Sequence, residues 1–178
     1  MCHAHSGSGV FRFIPLLPRV AALCWLQGSI HKSLRLGCPG AFLISDEFSA
    51  GGQPTPGTLQ NLANEGFKSV INLRSADETG VLSDEQQQAE AAGLEYVNIP
   101  LNPTQANDEL VARVLSELEE LPTPIFFHCQ AGGRAGALAL IALATQQKLS
   151  REEVLFKAQA LGINPEQPPL KHFLENLP

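Results

Sequence analysis

The chain has 178 residues, 44% of them hydrophobic, which suits one ordinary globular core and is too short for two well-built ones. Its formal net charge of −6 lacks the basic footprint that nucleic acid or an anionic membrane surface recruits, so neither is expected as a partner. The charge is unevenly spread: the first 45 residues hold no Asp or Glu and four basic residues, Arg12, Arg19, Lys32 and Arg35, which leaves −10 on the rest.

In chain order, residues 1–45 read as an N-terminal extension, either disordered or a targeting segment. Val10 to Leu26 is apolar, but Arg12, Pro15, Pro18 and Arg19 interrupt it before it reaches the roughly 20 apolar residues of a membrane-spanning helix. Cys2, His3 and His5 offer metal-binding atoms on what reads as a tail, which is poor ground for a metal site, and no metal is assigned. Cys24 and Cys38 lie in the same stretch, and Cys129 is the one cysteine of the rest of the chain, so no disulfide framework is expected there and a reducing compartment fits.

From Asp46 to Pro178 the punctuation is that of a single domain. Thr58–Glu65 reads as a helix stopped by Gly66, and Lys68–Arg74 as an apolar strand centred on Val70 to Leu73. Ser83–Ala92 reads as a second helix, with Ser83 and Gln86 spaced as a capping box and Gly93 as its stop. Tyr96–Ile99 is a second strand. Asn107 is placed to cap a third helix, with Asp108 and Glu109 where the helix dipole favours acids. Pro124 opens a strand, Ile125–His128, apolar on both faces as interior parallel strands are. An Ala- and Leu-rich helix covers Arg134–Gln147. Another, begun by a Ser150/Glu153 capping box, runs to Leu161, and a short one spans Leu170–Leu177. Strands alternating with helices predict an α/β domain, a small mostly parallel sheet flanked by helices.

The chemistry concentrates in His128-Cys-Gln-Ala-Gly-Gly-Arg134, which joins a buried strand to a helix. In open α/β sheets ligands bind at the carboxyl ends of the strands, where this cysteine falls. Gly132 and Gly133 let backbone amides turn inward around an anion, and the helix start adds its own unpaired amides. Gln130, Ala131, Gly132, Gly133 and Arg134 are therefore the candidate substrate-binding residues. Arg134 supplies a planar fork that Lys could not replace. A thiol in such surroundings has its pKa lowered to about 3.5–7.5. Cys129 is then a nucleophile for in-line attack on phosphorus, giving a phosphocysteine that water hydrolyses, with no metal or other cofactor needed.

The loop resembles the signature of the cysteine-dependent protein-tyrosine and dual-specificity phosphatases, but with four residues between Cys and Arg, one fewer than usual. That spacing, with Gly51-Gly-Gln-Pro54 and Val70-Ile-Asn-Leu-Arg74 upstream, resembles the bacterial beta-lactamase-hydrolase-like phosphatases and their relatives fused to NAD kinases. The run Arg134-Ala-Gly-Ala-Leu138 resembles the NAD-kinase-fused kind especially, and the likeness covers about residues 46–165. It implies a dual-specificity-phosphatase-like fold and a phosphorylated protein or a small phosphometabolite as substrate.

Two positions depart from that pattern. Ala135 stands where many relatives have Ser or Thr to help release the cysteine. Asn102 and Pro103 stand where dual-specificity enzymes carry a general-acid Asp. Asp77 is the candidate acid, with Glu78 in the same loop and Asp108 as alternatives. His128 is either a tuner of the thiolate or a satisfied core histidine. Arg74 reads as an ion-pair partner at the sheet edge, and Lys171 and His172 as surface. Two rival functions share the loop: a rhodanese-like sulfurtransferase carrying a Cys129 persulfide, and a non-catalytic phosphate-binding module. The expected location is cytoplasmic, or organellar if the extension is a transit peptide.

Overall fold

A computed structural model describes residues 41–101 and 108–177. Asn102, Pro103 and Asn107 lie outside the described residues, as do Cys2, His3, His5 and all of 1–40. Three interior strands carry the core: β2 (Phe48–Gly51), β3 (Ser69–Asn72) and β5 (Ile125–His128), each buried along its length. β4 (Glu95–Asn98) closes one edge of the sheet. β1 (Phe42–Leu43) closes the other, so residues assigned from sequence to the extension contribute a strand. The order is β1-β2-β5-β3-β4, parallel throughout except for the antiparallel β1–β2 pair. This is the mostly parallel α/β sheet expected. β1 and β2 are the two strands the sequence reading lacked, because two- and four-residue segments carry too little periodicity to be seen.

Side-chain alternation divides the core. Val70 and Phe126 face α1 (Pro56–Asn64) and α2 (Glu85–Ala91), where Leu59, Leu62, Ala89 and Leu94 meet them. Ile71, Leu73, Ile125, Phe127 and Cys129 belong to the larger cluster on the opposite face. That cluster includes Val114 of α3 (Asp108–Glu120) and the long run of α4 (Gly133–Gln147). Every residue from Arg134 to Ala144 is buried, so α4 is a central helix, and its near-total lack of polar side chains reflects enclosure from all sides. α5 (Arg151–Leu161) and α6 (Pro168–Asn176) pack against it.

The helix stops behave as glycine chemistry requires, with Gly66, Gly93 and Gly162 all at positive φ. The Ser150/Glu153 capping box forms in full. The Ser83/Gln86 box does not: α2 begins at Glu85, and Asp84 at its N-cap makes no side-chain cap bond. Glu85 is drawn inward instead, which shifts the helix start past Ser83. Among the described residues no helix is long and apolar enough to cross a membrane.

Candidate active site

β5 ends at His128 and α4 begins at Gly133, leaving four residues to reverse the chain. The reversal closes through Gly132, whose φ of 94° only glycine adopts without strain. The same turn aims the Gly132 N–H at Cys129 Sγ, 3.2 Å away. The Gly51-Gly-Gln53 stretch grips the loop from the side. Gly51 C=O accepts from Cys129 N–H at 3.3 Å, Gln53 N–H donates to Gln130 C=O at 3.1 Å, and Gly52 bridges Ala131. A side chain at Gly51 would meet the buried Phe126 ring at 2.8 Å, so its glycine is steric. Gln130, Ala131 and Gly133 are exposed at the mouth, while Cys129 and Gly132 are buried. The Gln167 amide, unremarked in the sequence, lies 3.0 Å from where a Gly133 Cβ would be.

Arg134, in the first turn of α4, is 6% exposed and held by a carboxylate the sequence reading offered only as an alternative acid. Its Nη1 donates to Leu101 C=O at 2.8 Å, to Leu73 C=O at 3.1 Å and to Glu78 Oε1 at 2.8 Å. Its Nη2 donates to Glu78 Oε2 at 2.6 Å. Arg74 is the ion-pair partner expected, with Glu78 at 3.3 Å, but it is wholly buried just past the end of an interior strand and not at a sheet edge. It donates to Glu78, to Gln53 Oε1, and to the carbonyls of Thr79 and Gly80, winding the 75–80 loop around itself. Two guanidinium groups thus meet one carboxylate. Hydrogen bonds from Arg134, above all, hold Glu78 at about 2, well below the usual carboxylate range, so it stays ionised and cannot serve as a general acid. Its neighbour Asp77 is exposed in the same loop.

Glu78→Ala is expected to lower stability by about 2 kcal/mol, below the 3–5 typical of a fully buried pair because Glu78 is 21% exposed. That corresponds to a Tm roughly 6 °C lower at neutral pH. The folded-state pKa is depressed, so the stabilisation is complete above about pH 4.5 and fades as pH falls towards 2. Thermal scans at pH 7 and pH 3 check this, since the gap between wild type and variant should narrow at the lower pH.

Beneath the loop lies a cluster that the sequence did not reveal. Glu85 Oε1 accepts from Gln53 Nε2 at 2.7 Å. Its Oε2 accepts from Asn72 Nδ2 at 3.0 Å and from Tyr96 Oη at 3.4 Å. His128 Nε2 lies 3.1 Å from Oε1, and the ring stacks on Phe126. Burial pushes the Glu85 carboxyl up to about 7 and the His128 imidazole down to about 3. His128 is therefore a neutral ring with a carboxyl neighbour. The available signal was that Glu85 sits four residues before Ala89, on the buried face of α2. Asp108 is far from this arrangement in character: it pairs at the surface with His172, 2.9 Å away. Lys171 pairs with Glu166 at 2.8 Å, also at the surface.

The family model described as DSP-PTPase phosphatase fused to NAD+ kinase matches residues 44–163. A beta-lactamase hydrolase-like protein of Agrobacterium fabrum is 29% identical over 117 residues, covering 64% of this chain and 27% of that protein, so the chain spans about a quarter of that relative's length. TpbA of P. aeruginosa, solved in complex with phosphotyrosine, superposes with a TM-score of 0.60 at 16% identity, over 78% of this chain and 84% of that one. The core catalytic domain of the PP-IP phosphatase SIW14 of S. cerevisiae, in complex with citrate, gives 0.60 at 16%, over 79% and 87%. At such identities the two structures attest to the fold, and the family rests on the match that runs from just after β1 to just past the end of α5. The chain belongs to the family described as DSP-PTPase phosphatase fused to NAD+ kinase, a branch of the dual-specificity and protein-tyrosine phosphatases.

Proposed function

We propose that this domain hydrolyses a phosphomonoester through a phosphocysteine on Cys129. The observation that carries the reading is the sulfur at the end of β5, accepting the Gly132 N–H at 3.2 Å beside a guanidinium that Glu78 locks in place. Glu78, Leu73 and Leu101 occupy the two terminal nitrogens of Arg134 from one side, so the Nε edge is the one turned to a bound phosphoryl group. The hydrogen bond from Glu78, above all, raises the Arg134 pKa, and the neighbouring Cys129 acts in the same direction, so the guanidinium stays charged beside the sulfur. The thiolate attacks phosphorus, an S–P bond forms, and the P–O bond to the leaving group breaks as that oxygen takes a proton. Water then attacks phosphorus, the S–P bond breaks back to thiolate, and inorganic phosphate leaves. The loop amides of Gln130 to Gly133, with Arg134, stabilise the equatorial oxygens in both steps.

Asp77 is proposed as the acid. Among the candidates, Glu78 is held ionised, Asp108 is committed to His172 at the surface, and Glu85 is enclosed beneath the loop. Asp77→Asn should lower turnover of phenyl phosphate, a poor leaving group, by about 10²-fold. p-Nitrophenyl phosphate, which leaves without protonation, should change little. An equal loss on both substrates would remove Asp77 from the role.

The deciding assay sets p-nitrophenyl phosphate hydrolysis by the full chain against sulfur transfer from thiosulfate to cyanide. Phosphate release supports the phosphatase. Sulfur transfer alone would replace it with the rhodanese reading, and silence in both, with tungstate still raising Tm, with a binding module. One structural neighbour is solved with phosphotyrosine and another is a PP-IP phosphatase, which justifies testing both a phosphopeptide and small phosphometabolites. A working thiolate fits a reducing compartment such as the cytoplasm.

A further inference from the structure

Glu85 enters none of the steps above, yet it is the one Asp or Glu among the described residues that is fully buried. Burying a carboxyl on a seven-residue helix is costly, and packing alone does not ask for it, since Ala89 fills the next inward position of α2. The sequence has nonetheless assembled a cage for it. One group arrives from each of four elements: Gln53 from the segment after β2, Asn72 from β3, Tyr96 from β4 and His128 from β5. Arg74 and Asp84 are the charged groups that act on it from further off.

The geometry explains what the cage serves. Alternation along β5 sends Cys129 to the α4 face and His128 to the α2 face. The His128 ring lies between Glu85 on one side and the main chain of Cys129 on the other. It is wholly buried, so the carboxyl on one side and the Cys129 main chain on the other are the polar groups that set its orientation and tautomer. Gln53 ties the same carboxyl to the loop a second time, because its side chain donates to Glu85 while its backbone N–H donates to Gln130.

We propose that Glu85 is a positioning residue for Cys129: through His128 and Gln53 it fixes the turn that carries the thiolate, and its charge is felt there. The consequence for turnover rests on the phosphatase reading, but the coupling itself is a property of the thiol. His128 stays neutral across the physiological range, so it is Glu85, with its carboxyl near 7, that changes charge close to neutrality. Its ionisation places a negative charge under the loop, which opposes the thiolate and raises its basicity. Nucleophilicity follows basicity with a slope of roughly one half, so the expected gain in thiolate reactivity is small, about two- to threefold.

The test is alkylation of Cys129 by iodoacetamide in the full chain between pH 4 and 9, followed on the Cys129 peptide by mass spectrometry because Cys2, Cys24 and Cys38 also react. The wild type should show two steps, thiol ionisation and then a two- to threefold rise centred near pH 7. In Glu85→Gln the second step should vanish. In Tyr96→Phe, which takes a donor from the carboxyl without touching His128, the step should move to higher pH. A one-step wild-type profile, or a second step that survives in Glu85→Gln, overturns the proposal. If circular dichroism shows that Glu85→Gln does not fold, a step unmoved in Tyr96→Phe overturns it equally. Alkylation needs no turnover, so a protein that releases no phosphate yet shows the coupled profile would sink the phosphatase reading alone.

Discussion

Cys129→Ser should reduce p-nitrophenyl phosphate hydrolysis by at least about 10⁴-fold, to background, while leaving the protein folded and able to bind phosphate. The loss is this large because a serine hydroxyl in the same place stays protonated and is a far weaker nucleophile at neutral pH. Removing the nucleophile of a catalytic unit forfeits nearly all that the unit contributes. The fold should survive because the change is nearly isosteric and the Gly132 N–H keeps an acceptor in place of Sγ. Binding should survive because the loop amides and Arg134 are untouched. Tungstate at about 100 times its Kd would then stabilise the variant by about 2.7 kcal/mol, as it does the wild type. Measured kcat with a parallel thermal shift separates the outcomes. Retained hydrolysis would mean that Cys129 is not the nucleophile, and lost binding would mean that the sulfur is structural.

Arg134→Lys should lower kcat/KM by about 10³-fold, with the charge conserved. A single oxyanion-stabilising donor is worth about 10²–10³, and the ammonium would forfeit more than one. Lysine carries a point charge on a flexible stem. It cannot receive both Glu78 oxygens along one edge while presenting a second edge to phosphate. Leu73 and Leu101 would also lose a fixed donor to their carbonyls. The readout is kcat/KM together with the apparent affinity for inorganic phosphate as an inhibitor. A loss below tenfold in both would show that charge alone suffices, and would dismiss the fork from the mechanism.

Most of the chain could be read because its signals are local. Gly66, Gly93 and Gly162 each need only their own left-handed φ to stop a helix, and Ser150 with Glu153 needs only one turn to close a capping box. The loop from His128 to Arg134 is equally self-contained, since its Gly132 turn and helix start follow from the adjoining residues. Where the reading failed, the competing force came from elsewhere in the fold. Ser83 and Gln86 had the spacing of a cap, but Glu85 between them found four partners inside the protein and α2 started there instead. Arg74 looked like an edge residue because nothing local reports that β4 lies beyond β3, while the loop that buries it wraps back from Thr79 and Gly80.

By itself the sequence determined an α/β domain, the strand-to-helix loop with Cys129 and Arg134 at its ends, and the family to which that loop belongs. The domain class and the loop follow from periodicity, glycine and spacing, all of which act within a few residues, and the family follows from the resemblance of the loop and its upstream motifs to known relatives. Only the tertiary structure decided that Glu78 holds Arg134, that Gly51 to Gln53 brace the loop, and that Glu85 lies beneath His128. Those pairings span from 43 to 79 positions of sequence. A carboxylate has the same letter whether it is solvated or buried, and what separates Asp77 from Glu78 and Glu85 is the desolvation and the donors supplied by strands far away in the chain.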